Sequence, residues 1–303
     1  MKTFFSELSA NPAYYSFGYS VYGMLEPSDR LDAIYEQGYL PFVGAKEQPS
    51  PMVYLARGTR IVATDFVERH YHKRVLRKAE EGNGLPETIV HEKKNFPITN
   101  EFIQFFLSYF AFRFGKDSMS EERLRAILAA PFITHITEYK SSGKTVAYLL
   151  EVHGDSFIHV WYHAYTKERE QSYLGLYLYI DVLRRAKAEG KQHVYLGVTY
   201  GNWMLYKTNF EPLQYFDGAT WVIDPKSREL KKLLKGDPTR ILGFVDAWRE
   251  KQKPYYEAPY PFAGGLDELR FLAVMLAGTP RVFLVLFCIV FLLAGVFLVP
   301  TLF

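Results

Sequence analysis

Between Pro131 and Thr199 the chain runs through strand patterns, a helix and another strand, and this stretch limits what body the sequence can build. Residues 132–140 and 144–153 flank Ser-Ser-Gly, two strand runs around a turn signal that predict a hairpin. Residues 157–165 form a third strand. Residues 172–189 then switch to helical spacing, stop at Gly190, and give way to a strand over 192–199. A short helix near 202–208, a strand near 220–223 and a charged helical stretch over 226–250 follow.

The 303 residues can bury one large core or two modest ones. Aromatic residues make up 17%, with 23 Tyr and 24 Phe, which favours a strand-rich, packed body over disorder. Net charge is only +3, so any nucleic-acid contact must come from local clustering. The single cysteine, Cys288, excludes disulfides within the chain and thiolate zinc sites. Residues 282–303 carry no charged side chain and would make a helix roughly 33 Å long, against a bilayer core of roughly 30 Å. With no signal peptide apparent, the expectation is a single-pass C-terminal membrane anchor with the body on the cytoplasmic side.

In the first half, residues 13–62 read as strand-rich with a short helix over 28–36. Residues 64–80 read as a two-faced helix. Val67, Tyr71 and Val75 make an apolar stripe, and Arg69, Lys73 and Arg77 a basic one about 200° around the wheel, with Arg74 and Lys78 beside it. Such a row suits a phosphate backbone, anionic lipid or plain solvent. Helices over 100–114 and 120–129 precede the strands. His159 and His163 read as sharing one strand face about 13 Å apart, too far to hold one metal ion, so no metal site is expected. The Gln171-Ser-Tyr-Leu-Gly junction reads as a helix start, whose amides can polarise a carbonyl.

Three segments carry a family resemblance. Ser172-Tyr-Leu-Gly-Leu-Tyr-Leu-Tyr-Ile-Asp-Val-Leu, Val194-Tyr-Leu-Gly and Leu205-Tyr-Lys-Thr-Asn-Phe-Glu-Pro resemble the C-terminal domain of arginyl-tRNA–protein transferases and their bacterial leucyl relatives. Met204, Tyr206, Lys207, Phe210 and Pro212 match the last segment; Tyr139, Gly143, Lys144 and Ala147 resemble the family's hairpin, and Tyr162 its strand tyrosine. Tyr54-Leu-Ala-Arg-Gly-Thr-Arg and Phe66 through Lys78 resemble its N-terminal half. The chain departs from the pattern in lacking N-terminal cysteine pairs. It has His163 where the family has aspartate, Tyr173 where it has serine, and a shorter stretch between Gly197 and Lys207.

The resemblance implies an α+β (α/β) body with a GNAT-like mixed sheet flanked by helices and a smaller N-terminal α+β part. The domains would be an N-terminal region with the basic helix (1–98), the GNAT-like domain (99–250), a Pro/Tyr linker and juxtamembrane segment (251–281) and the anchor (282–303). It also implies transfer of an amino acid, of the Arg or Leu class, from charged tRNA to a protein N-terminal amine. The partners would be aminoacyl-tRNA, protein N-termini and, through the anchor, a membrane, with no cofactor beyond the tRNA co-substrate. Lys207 and Tyr162 would be catalytic, with Lys207 holding an anionic group. Tyr173, Leu174, Gly175, Tyr206, Arg57 and Arg60 would bind substrate, and Arg69, Lys73, Arg74, Arg77 and Lys78 would meet tRNA or an acidic acceptor. The rival readings are a membrane-tethered acyltransferase of the same fold, using acyl-CoA or a Fem-like donor, and a non-catalytic GNAT-like binding module. The lone Gly175 among bulky neighbours argues against cradling CoA.

Overall fold

The structure, a computed structural model, describes residues 1–6, 20–43, 51–81, 84–116, 118–168 and 173–236. In chain order these form β1 (Lys2–Ser6), β2 (Ser20–Met24), α1 (Leu31–Glu36), β3 (Tyr39–Pro41), β4 (Met52–Leu55), β5 (Gly58–Val62), α2 (His70–Glu80) and β6 (Glu87–Glu92). Then come α3 (Asn100–Phe114), α4 (Glu121–Ala129), β7 (His135–Ser141), β8 (Lys144–His153), β9 (Phe157–Tyr165), α5 (Leu174–Ala188), β10 (His193–Val198), β11 (Leu213–Phe216), β12 (Trp221–Asp224) and α6 (Arg228–Gly236). A 3-10 segment, Asn202–Asn209, joins β10 to β11.

The strands make a four-stranded sheet, β1-β2-β4-β3, and an eight-stranded mixed sheet, β12-β11-β5-β10-β9-β8-β7-β6. Among the described strands only β9 and β10 pair in parallel; their link holds α5, as a parallel crossover needs. The β7–β8 hairpin turns on Ser142 (φ 49°) and Gly143 (φ 76°), the two positive φ values of a primed turn. β5, from the first hundred residues, lies inside the large sheet, antiparallel to β10 on one side and β11 on the other.

Local signals explain the helices. Thr99 accepts a hydrogen bond from the Phe102 amide to open α3, and Gly115 ends it at φ 102°. Ser120 caps α4 through the Arg123 amide. The helix expected over 64–80 starts only at His70: Arg69 is extended, its amide donating to His72 Nδ1, and Val67 is exposed rather than packed. The packing stripe of α2 is instead His72, Val75 and Ala79. The four-stranded part is keyed to the large sheet by Tyr35, fully buried, stacked on Phe157 at 4.1 Å and bonded to His159 Nδ1 at 2.9 Å.

The expected membrane anchor is corrected. Among the described residues no helix is long and apolar enough to cross a membrane. The longest, α3 and α5, have 15 residues each, roughly 22 Å of rise, and both carry charges. The segment 282–303, where hydropathy alone suggested an anchor, lies outside the described residues, and single-pass localisation is not retained.

Helix α5 is bolted to the sheet through a buried ion network. Glu151 on β8, fully buried, takes Arg185 Nη2 at 2.6 Å and pairs with His153 Nε2 at 2.8 Å. Arg185 also reaches Asp181, which accepts the Tyr139 hydroxyl at 2.7 Å. Burial pushes the Glu151 carboxyl up, but the charge of Arg185 and the bonds from His153 and Arg185 outweigh it and hold the group down at about 2, against an ordinary 4.5. Glu151→Gln takes away one of the two carboxylates that hold the buried guanidinium of Arg185 and should cost roughly 3 kcal/mol of unfolding free energy near neutral pH. The stabilisation from this carboxylate is present above about 4.5 and fades as pH falls toward 2, so the gap between wild type and variant should narrow there. Urea titrations at pH 7 and pH 3 test this; an unchanged gap would refute it.

Candidate active site

The site is built where the sheet opens. β9 and β10 stay paired only from Phe157–His159 against His193–Tyr195, after which β9 runs on to Tyr165. Into this opening comes Lys207 from the 3-10 segment. It is 3% exposed, and its ammonium donates to Leu196 O and Val198 O of β10 at 2.6 Å each. Its charge also reaches His159 and His163 of β9, so one lysine bridges the divergence. Burial lowers its pKa to about 7. A surface lysine in a turn is therefore excluded, and two of its three protons are already committed.

The two histidines do not share a face. Leu150 pairs with Tyr162 while its neighbour Glu151 pairs with Val160, leaving Trp161 as an extra residue in a β-bulge. The bulge reverses the alternation: His159 turns to Tyr35, and His163 to the opposite side, between helices α3 and α5. A bulge leaves no mark in spacing, which is why the sequence pattern put both on one side.

His163 sits among tyrosines. Its Nε2 meets the Tyr109 hydroxyl at 3.0 Å and its Nδ1 the Tyr179 hydroxyl at 3.4 Å, which in turn lies 3.4 Å from the Tyr206 hydroxyl. Burial, with help from the charges of Lys207 and Arg113, pushes His163 down to about 4, so the ring is neutral near pH 7. Burial also pushes Tyr206 up to about 12. The start of α5 touches the cluster: a Cβ on Gly175 would lie 3.0 Å from the Tyr165 ring, so glycine lets the helix come this close. Before it, Tyr173 is left-handed (φ 58°), 38% exposed, and supplies no side-chain cap, while Leu174 is buried. The side chain at the N-cap of α5 thus leaves the first amides of the helix uncapped.

Other expected residues divide. Lys73, Arg74 and Arg77 stand exposed on α2, with Lys78 paired to Glu81 and Arg69 to Glu211. Tyr71, beneath the Arg74 guanidinium at 5.7 Å, hydrogen-bonds Asn209 and feels Tyr173, which brings this end of the basic helix to the α5 start. Arg57 and Arg60 lie elsewhere, buried in the sheet. Arg57 Nε donates to Thr199 O; Arg60 is held by Glu36, Gln214 and Tyr195 and stacks on Trp221 at 4.2 Å. Tyr162 is half-buried against Phe110 and Trp161.

Residues 101–217, which hold α3, the bulged strand, Gly175 and Lys207, match a family model described as arginine-tRNA-protein transferase, C terminus. By sequence these residues are similar to the aminoacyl-tRNA–protein transferases. The aspartate/glutamate leucyltransferase of Rhizobium leguminosarum bv. trifolii (strain WSM2304) is 27% identical over 186 residues, which cover 55% of this chain and 69% of the relative. That of Halorhodospira halophila is 28% identical over 206 residues, covering 63% and 82%. Among solved structures, FemX aligns at TM-score 0.39 and 10% identity over 68% of this chain and 70% of its own. L-PGS from Bacillus licheniformis aligns at TM-score 0.36 and 14% identity over 59% of this chain, which spans about half of it (52%).

Around this opening, the sequence reading did not single out Tyr109, Arg113, Tyr165 and Tyr179. Tyr109 and Arg113 lie one helical turn apart on α3, a spacing that was legible, but only the fold carries them to His163. Lys207 gives a direct test of the opening. The unfolded chain holds its lysine proton up to about 10.5, and the folded chain only to about 7. Between these values the unfolded chain binds more protons, so this group makes stability rise with pH across the window. Lys207→Met should flatten that rise relative to wild type in urea unfolding at pH 7 and 9.5. Equal slopes would show that burial does not suppress the ammonium.

Proposed function

We propose that the chain is an aminoacyl-tRNA–protein transferase. It moves an amino acid from charged tRNA to the N-terminal amine of a protein. The names of its relatives favour leucine as the amino acid and aspartate or glutamate as the acceptor residue. The observation that carries the reading is the meeting of the α5 start and a tyrosine-lined opening, both inside the matched residues, with the inner end of the exposed basic helix α2, which lies upstream of them in the chain.

The reaction is aminolysis of an ester. The acceptor nitrogen attacks the aminoacyl carbonyl carbon and forms the C–N bond, and negative charge gathers on the carbonyl oxygen. The ester C–O bond then breaks and the ribose hydroxyl of the tRNA leaves with a proton. No covalent intermediate on the protein is required. Amides of Leu174 and Gly175 would face the developing oxyanion, where preorganised donors act most strongly. Lys207 would act through its charge and by holding β10 in place, since its ammonium is tied to two carbonyls. Tyr206 and Tyr162 would line the pocket. The exposed Lys73, Arg74 and Arg77 would meet tRNA phosphate, and the GNAT-like likeness of the mixed sheet belongs to this same reading.

Incubating the purified chain with labelled leucyl- and arginyl-tRNA and peptides beginning with Asp, Glu, Gln or N-acetyl-Glu tests this directly. Label should pass from one of the two tRNAs to Asp and Glu peptides with a free amine and not to the acetylated one; no transfer to any peptide would sink the reading. Lys73→Glu with Arg77→Glu should weaken tRNA binding and reduce the salt slope of log K by about 2, close to one unit per lost phosphate contact. An unchanged slope would remove α2 from the tRNA interface.

A further inference from the structure

Tyr165, whose ring meets Gly175, also lines a hollow of about 350 Å³ between α3 and the end of β9. Tyr109, bonded to His163, shares that wall, and Phe112 continues it along α3. Tyr109 and Tyr165, with ring centroids 4.8 Å apart, thus belong both to the wall of the hollow and to the tyrosines around His163. Its rim is charged: Glu101 on the first turn of α3, and Lys167 and Glu168 just past β9.

This mixture selects a ligand. Carboxylates with aromatic faces suit an ammonium group, and a lysine suits a carboxylate. Lys167 is exposed, and its ammonium lies 5.3 Å from the Phe112 centroid with no carboxylate partner among the described residues. An apolar aminoacyl side chain would leave all three rim charges unused. An N-terminal Asp or Glu uses them, because it places an ammonium and a side-chain carboxylate a few bonds apart.

Resting on the transferase reading, we propose that this hollow seats the acidic N-terminal residue of the acceptor. Lys167 takes its side-chain carboxylate, Glu101 and Glu168 draw in its ammonium, and the amine is presented toward Tyr165 and the start of α5.

Wild type and Lys167→Glu would be compared in transfer assays on peptides differing only in a first residue of Glu, Gln or Lys. Calorimetric binding of the same peptides, and of N-acetyl-Glu peptide, would be measured without tRNA. The variant should melt like wild type, raise KM for the Glu peptide by about tenfold with kcat within about twofold, and narrow or invert the preference for Glu over Lys. N-acetylation should weaken binding. An unchanged KM for the Glu peptide, or an equal loss of kcat on all three, would overturn the assignment. The binding arm separates the two readings. Charge-dependent peptide binding that Lys167→Glu reverses supports the hollow even if transfer fails. Transfer that proceeds with unaltered acceptor preference in Lys167→Glu leaves the transferase reading standing and removes this one.

Discussion

A buried ammonium stands where strand pairing has been given up. Once β9 and β10 part, carbonyls of β10 lose their neighbour, and an orphaned buried carbonyl is costly. Lys207 supplies two charge-assisted hydrogen bonds in its place. Desolvating the cation opposes this, as its lowered pKa records. The opening, the tyrosines around His163 and the approach of α5 to Tyr165 all follow from the sheet being held apart in this way.

The exchange of aspartate for His163, judged against the family pattern, changes the charge balance at that point. An aspartate there would give Lys207 a counter-ion. The histidine is buried and neutral near pH 7, so at this point Lys207 faces an uncharged ring. Without that partner, burial acts on Lys207 unopposed and brings its titration close to neutrality. The neutral ring in turn hydrogen-bonds Tyr109 and Tyr179, tying α3 to α5 across the end of β9.

What could be read in the sequence was what local chemistry decides. The helix over 100–114 was legible because Thr99 and Gly115 mark its ends, and the hairpin because Ser-Ser-Gly accepts two positive φ values. Three things were not legible, since each depends on a partner that the local pattern does not name. Arg60 looks like a binding arginine until Glu36, Tyr195 and Gln214 close around it. The bulge at Trp161 breaks a period that the side chains alone suggest. β11 is only four residues long and becomes a strand through β5, about 150 positions earlier. In the candidate site, Gly175, Tyr206 and Lys207 were proposed from motif resemblance, whereas Tyr109, Tyr165 and Tyr179 come to this place only through the packing of α3 and α5.

The place of β5 bears on how this polypeptide can be made or dissected. Residues 101–217 hold most of the reaction centre proposed here, yet the sheet they build is interrupted by a strand from upstream. Excising that segment would bare the backbone edges of β10 and β11 at once, leaving sticky ribbons prone to pair with other copies. On the ribosome, likewise, β5 emerges early and must wait through more than a hundred residues of synthesis before its bedfellows arrive.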